Sequence, residues 1–134
     1  MPGSFFDSNV LLYLASADPV KADRAEAILA QGGAISVQVL NEIANVGRRK
    51  MQLSWQGTRT FLTTICALVT VHPLTTETHE TGLALAERYT LSIYDALIAA
   101  AAIHAECDIL WSEDLQHGMV IGERLRVANP FRTA

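Results

Sequence analysis

Residues Leu91–Gly118, LSIYDALIAAAAIHAECDILWSEDLQHG, constrain this chain more than any other stretch. A serine cap opens an alanine-rich helix, which leads into the short apolar run Ile109-Leu110-Trp111 and then an acidic turn. A helix that is apolar nearly all round has to be buried, and a short apolar run bounded by turn residues suits a strand buried on both faces of a parallel sheet. In such a unit Asp95 starts the helix and Asp114 follows the strand, so both carboxylates can face one edge of the sheet.

The rest of the chain repeats the same alternation. Gly3-Ser4-Phe5-Phe6 reads as a strand running into Asp7, and Ser8-Asn9 starts the helical pattern Val10, Leu11, Leu12, Leu14. Asp18-Pro19 has the form of an N-cap with proline at the first helical position, and that helix stops at Gly32-Gly33. Ala34-Ile35-Ser36 is a small buried strand, with Ser36 placed to cap a helix reaching about Lys50. Ser54 opens a further helix with Phe61, Leu62, Ile65 and Leu68 on one face, followed by the β-branched strand Val69-Thr70-Val71. Thr75-Thr76-Glu77 introduces a helix to about Tyr89, and Leu125-Arg126-Val127 forms a last strand. Strands separated by helices imply βαβ crossovers, hence an α/β fold whose mostly parallel sheet is covered on both faces. At 134 residues the whole chain, 1–134, is expected to be one domain.

Composition narrows the function classes. Half the residues are hydrophobic and 18% charged, too apolar for a disordered chain, and consistent with either a tight core or a surface covered by a partner. The net charge of −4 means that the molecule's overall field does not attract a phosphate backbone, so nucleic-acid binding needs a local basic patch or bound cations. No apolar run approaches a membrane span and no signal peptide opens the chain, so a soluble, cytoplasmic protein without a membrane partner is expected. Cys66 and Cys107 lack CxxC spacing and sit in apolar helical contexts, where a buried, reduced thiol is the ordinary outcome.

Acidic residues at the carboxyl ends of the strands matter because ligands of open α/β sheets bind there. Asp7 follows the first strand, Glu42 lies two turns into the helix after Ser36, Asp95 is in a first turn and Asp114 follows a strand. Each has an ordinary explanation as a turn residue or a dipole partner. Glu42 shares the polar side of its helix with Gln38, Asn45 and Arg49, opposite the stripe Val39, Leu40, Ile43, Val46, and plain solvent exposure accounts for that pattern. Taken together, clustered carboxylates repel unless a cation offsets them, and oxygen-only ligands suit magnesium or manganese better than zinc. The histidines show no zinc-like spacing; His117, three residues beyond Asp114, reads as a loop residue.

The blocks FFDSNVLLYL, ISVQVLNEIANV, LSIYDALIAAAA and ILWSEDLQHG, in this order, resemble the PIN-domain ribonucleases, in particular the small VapC-type toxins. The resemblance spans essentially the whole chain. It implies a three-layer α/β/α sandwich and an acidic pocket of Asp7, Glu42, Asp95 and Asp114. Asp7, Asp95 and Asp114 would hold Mg2+, with Mn2+ as a substitute, and Ser8, Asn9 and Ser112 would orient the carboxylates by hydrogen bonds. It implies metal-activated water attack on RNA, a VapB-type antitoxin that occludes the pocket, and a homodimer. Many members carry a further acidic residue where this chain has Gln116-His117-Gly118; Glu113 is the available substitute.

RNA binding would draw on Arg48-Arg49-Lys50, with Arg124 and Arg126 as a second source, although a basic helix C-terminus is also ordinary dipole complementarity. Trp55 is a possible stacking residue, Trp111 reads as core, and Tyr94 stands beside Asp95 without an assigned role. The leading expectation is a metal-dependent endoribonuclease acting as the toxin of a type II toxin–antitoxin pair. The alternatives are a stand-alone RNA-maturation nuclease and a binding module that mainly completes a repressor. A phosphatase with Asp7 as nucleophile is disfavoured, because Asn9 stands where a second aspartate is needed and Lys21 and Lys50 are the only lysines.

Overall fold

The structure, a computed structural model, describes residues 3–132. Five parallel strands form its sheet: β1 Ser4–Phe6, β2 Ala34–Ser36, β3 Thr70–His72, β4 Ile109–Trp111 and, after β5 Val120–Ile121, β6 Leu125–Ala128. Only β5 runs antiparallel, against β6, and the spatial order is β3-β2-β1-β4-β6-β5. Helices α1 Ser8–Leu12, α2 Pro19–Leu29, α3 Val37–Arg49, α4 Trp55–Leu68, α5 Thr76–Tyr89 and α6 Ile93–His104 fill the crossovers. The result is the expected α/β/α sandwich. No helix among the described residues is long and apolar enough to cross a membrane.

The strand order follows from the crossovers and fixes where a site can form. From the central strand β1 the chain steps outward to β2 and β3, then returns across the sheet to lay β4 on the other side of β1. Between β1 and β4 the winding direction reverses, and loops leaving their carboxyl ends diverge to leave a crevice. The register pairs Phe5 with Leu110 and Phe6 with Trp111, so Asp7 and Ser112 emerge side by side.

The core joins the buried strand residues Phe5, Phe6, Ile35, Leu110 and Val127, on the two faces of the sheet, with Ala96, Ile98 and Ala99–Ala102 of α6 in one apolar cluster. Truncating a wholly buried phenylalanine such as Phe6 to alanine is expected to cost about 3–5 kcal/mol. Helix α5 also approaches α6 closely: a Cβ at Gly82 would lie 2.8 Å from Leu97 Cδ2. Gly33 does more than stop α2. With φ of +157° and a would-be Cβ 2.5 Å from Phe6 Cε2 and 2.7 Å from the Ser4 carbonyl, it lets the chain enter β2 flush against β1.

Side-chain caps explain most helix starts. Asp18 accepts from Lys21 N at 3.1 Å, Ser54 from Gly57 N at 2.9 Å, Thr75 from Thr78 N at 3.1 Å and Ser92 from Asp95 N at 3.1 Å. Ser36 occupies the N-cap position of α3 but its buried hydroxyl makes no cap bond. Three other expectations change. The first helix is shorter than its apolar pattern and tightens into a 3-10 turn at Tyr13–Ala15. Strand β5 has no counterpart in the sequence reading, because two residues carry no periodicity. Cys66 is exposed rather than buried, while Cys107 is buried and both thiols are free.

Candidate active site

Asp7 leaves the end of β1 in extended backbone and caps α1 itself, its Oδ1 accepting from Ser8 N at 2.7 Å. Ser112 Oγ, arriving from the end of β4, donates to Asp7 Oδ2 at 2.7 Å, and Asn9 Nδ2 donates to the same oxygen at 3.2 Å. The carboxyl is only 2% exposed. Burial pushes its pKa up from 3.8 to about 6; the Ser112 bond opposes this, and the charges of Glu42 and Asp95 add to it. Asp7 is therefore a carboxylate folded into a place that disfavours its charge.

Glu42 reaches Asp7 through one hydroxyl. Ser8 Oγ donates to Glu42 Oε1 at 2.7 Å while lying 3.3 Å from Asp7 Oδ1, and Gln38 Nε2 donates to Glu42 Oε2 at 3.0 Å. Gln38 stands one turn before Glu42 and is buried. The polar side of α3 is thus not a simple solvent face: its first two turns bury an amide to hold a carboxylate.

Asp95 sits half-buried in the first turn of α6. Burial raises its pKa, the Ser92 bond opposes the rise and the charge of Asp114 reinforces it. Asp114 is exposed and lines a cleft of about 320 Å3 together with Ser8, Asn9, Glu42, Asn45 and Lys50. Asp95 does not line that cleft; it is tied to the others through the field it shares with Asp7 and Asp114. A larger cavity of about 820 Å3 lies between α2 and α4 beside Leu29, Phe61, Ile65 and Leu68; it is lined by none of Asp7, Glu42, Asp95 and Asp114, and its mainly apolar walls carry a single carboxylate, Glu26.

The remaining candidates divide. Asn9 accepts from Glu113 N at 3.1 Å and so links α1 to the loop after β4. Glu113 is drawn aside: its carboxylate takes Tyr13 OH at 2.6 Å and Lys21 Nζ at 2.5 Å. Burial alone would raise its pKa, but these two donors outweigh that and hold it low. It is a poor substitute for a missing acidic ligand. His117 Nδ1 accepts from Asn129 N at 3.0 Å, a loop-closing role. Of the basic trio, Lys50 lines the cleft, Arg49 is exposed, and Arg48 is occupied with the Leu53 carbonyl at 2.6 Å and the Trp55 ring at 4.1 Å. Trp111 is half-buried rather than core, with Arg24 over its ring at 6.0 Å. The Lys21–Tyr13–Glu113 group was invisible to sequence reasoning, since Glu113 lies 92 residues beyond Lys21 and 100 beyond Tyr13 and no local pattern joins them.

The donor set suits a hard divalent cation. It is all oxygen, and a cation would relieve the repulsion that holds the Asp7 pKa up. As the side chains stand, no three carboxylate, imidazole or thiol groups among the described residues are close enough together to hold one ion. The set fits by chemistry and charge, with Asp7 fixed and Asp114 exposed.

A PIN-domain family model matches residues 4–118, a span that includes all four carboxylates. The chain belongs to the PIN-domain family. This PIN domain has no match among curated proteins. Among solved structures it is similar to a toxin–antitoxin complex from Klebsiella pneumoniae, 25% identical over 97% of this chain and 99% of that one, with a TM-score of 0.72. It also resembles VapC20 of Mycobacterium tuberculosis, a toxin that cleaves the sarcin–ricin loop, at 20% identity over 83% and 89% of the two chains and a TM-score of 0.63. VapBC2 of Rickettsia felis, bound to a DNA fragment from its promoter, gives 20%, 83% and 87%, and 0.60. At 20% identity the latter two bear on the fold of this PIN domain alone.

Proposed function

We propose that this PIN domain is a metal-dependent endoribonuclease and the toxin of a type II toxin–antitoxin pair. The observation that carries the reading is Asp7: a buried carboxylate, bonded from the loops that follow β1 and β4, whose pKa two neighbouring carboxylates help to raise to about 6. Structural ion-pair networks settle charge, whereas this arrangement leaves it unsettled, as sites built for a ligand do. Asp7, Asp95 and Asp114 would hold Mg2+ or Mn2+, which when bound acidifies water and stabilises charge on a phosphoryl oxygen. Glu42, gripped by Ser8 and Gln38, is held to take a proton from an attacking water. Ser112 and Asn9 fix the Asp7 carboxylate, and Lys50 offers the cleft a positive charge for the RNA backbone.

The same reading makes the protein a cytoplasmic homodimer with a VapB-type antitoxin. The uncovered apolar cavity between α2 and α4, with Leu68 more than half exposed at its edge, supports a protein partner. The test is cleavage of an RNA panel by the partner-free chain with Mg2+ or Mn2+. Cleavage that chelation stops and that Asp7→Asn and Asp95→Asn each abolish is expected. Activity undiminished in both variants sinks the site. One observation favours a second reading, a module that chiefly completes a repressor: among the described residues, no three carboxylate, imidazole or thiol groups stand within reach of one ion. That reading requires RNA or antitoxin binding with no turnover on any substrate.

A further inference from the structure

A second cavity, of about 400 Å3, opens next to the acidic cleft and is lined by Gln38, Asn41, Glu42, Asn45 and Tyr94. The two cavities share a wall, since Glu42 and Asn45 line both. Together they make a track from Tyr94, past Glu42, to Lys50 and Asp114. Tyr94 lies in the first turn of α6 immediately before Asp95 and is 61% exposed. Trp55 is as exposed, at 62%, but its ring is already covered by the Arg48 guanidinium and it lines neither cavity. The sequence offered Trp55 as a stacking residue and left Tyr94 without a role; position selects Tyr94.

The lining has a specific chemistry. Carboxamides present a donor and an acceptor side by side, the pattern that matches a base edge, and Asn and Gln pair this way with adenine. An exposed ring beside them supplies a face on which any base stacks. Of the two asparagines, Asn41 and Asn45 are exposed and lie one turn apart on α3, whereas Gln38 is committed to Glu42. We propose that Tyr94, Asn41 and Asn45 form a subsite for one unpaired base of a single-stranded RNA, seated so that the adjoining phosphate enters the cleft between Glu42 and Lys50. This rests on the nuclease reading and deepens it: the subsite, not the carboxylates, decides which nucleotide flanks the cut.

The test uses the full chain carrying Asp7→Asn, which holds RNA without cutting it, and a short labelled single-stranded oligoribonucleotide read by fluorescence anisotropy. Tyr94→Ala is expected to weaken binding roughly tenfold and Tyr94→Phe to leave it within about twofold, since the ring rather than the hydroxyl stacks. With one base replaced by an abasic residue, the parent loses the same affinity and Tyr94→Ala adds nothing. In the cleaving chain, Asn41→Ala and Asn45→Ala change which nucleotide flanks the cut. Unchanged affinity in Tyr94→Ala, or equal weakening on intact and abasic probes, overturns the subsite while metal-dependent cleavage leaves the nuclease reading standing. Absence of both RNA binding and cleavage overturns both.

Discussion

The two halves of the acidic site are built differently. Asp7 and Glu42 come from the first two βα units and are bonded on all four carboxylate oxygens by Ser8, Asn9, Ser112 and Gln38. Asp95 and Asp114 come from the second half of the chain, one half-buried and one exposed; Asp95 acts on Asp7 through charge, and Asp114 acts on Asp95 in the same way. The contrast teaches that preorganisation and adaptability are separated in space. One half is rigid and electrostatically uncomfortable; the other is free to adjust to what binds.

The comparison can be broken at its strongest point first. Asp7→Asn is expected to abolish metal-dependent cleavage and, in the metal-free protein, to raise stability at pH 8. The sign follows from the raised pKa: the folded state holds the Asp7 proton more tightly than the unfolded chain, so stability falls as pH rises from 3.8 to about 6 and stays low above it. The shift corresponds to about 3 kcal/mol at most, and the substitution should recover on the order of 1–3 kcal/mol. Chemical denaturation at pH 5 and pH 8 checks this; a variant less stable than the parent at pH 8 would show that the Asp7 charge is comfortable after all. Adding Mn2+ should stabilise the parent more than the variant.

Ser112→Ala comes next. It removes the short bond to Asp7 and a 3.3 Å bond from Leu115 N, with an expected loss of about 10–100-fold in Mn2+ affinity or cleavage rate. Because that bond opposes the rise in the Asp7 pKa, the acid limb of the activity profile should move to higher pH. Gln38→Ala should cost about tenfold or less, appearing in kcat and sparing KM, since Glu42 keeps its bond to Ser8. Smallest of all is Lys21→Met. It frees Glu113 at a partly exposed pair, so a slight fall in Tm at neutral pH is expected, vanishing in acid where Glu113 is protonated. A loss of cleavage as large as that of Ser112→Ala would mean that the Glu113 loop, and not Asp7, governs the site.

The fold was legible wherever a physical signal was local. Caps such as Asp18, Ser54 and Ser92 announce their helices within four residues, and β-branched or aromatic runs announce the parallel strands. The approach of Asp7, Glu42 and Asp114 was legible because the carboxyl edge of a parallel sheet draws residues from distant positions by rule, whereas that rule does not say that Asp95 stays outside the cleft they share. Less so was the grip on Glu42: Gln38 reads as surface, and only tertiary packing buries it. Strand β5 and the Lys21–Tyr13–Glu113 group are products of tertiary pairing with no periodicity of their own. Cys66 was misjudged because an apolar neighbourhood in sequence includes the outer face of α4.

The pairing of β1 with β4 also sets when the acidic corner can exist. Asp7 and Ser112 are 105 positions apart, and neither the Asp7 amide, which donates to the Trp111 carbonyl at 2.9 Å, nor its carboxylate has these partners until β4 is laid down. During synthesis the amino-terminal βα units leave the ribosome long before that strand, and such long-range parallel pairing forms late. On the nuclease reading, a half-made chain lacks its finished acidic corner, and cutting begins only once residue 112 has emerged.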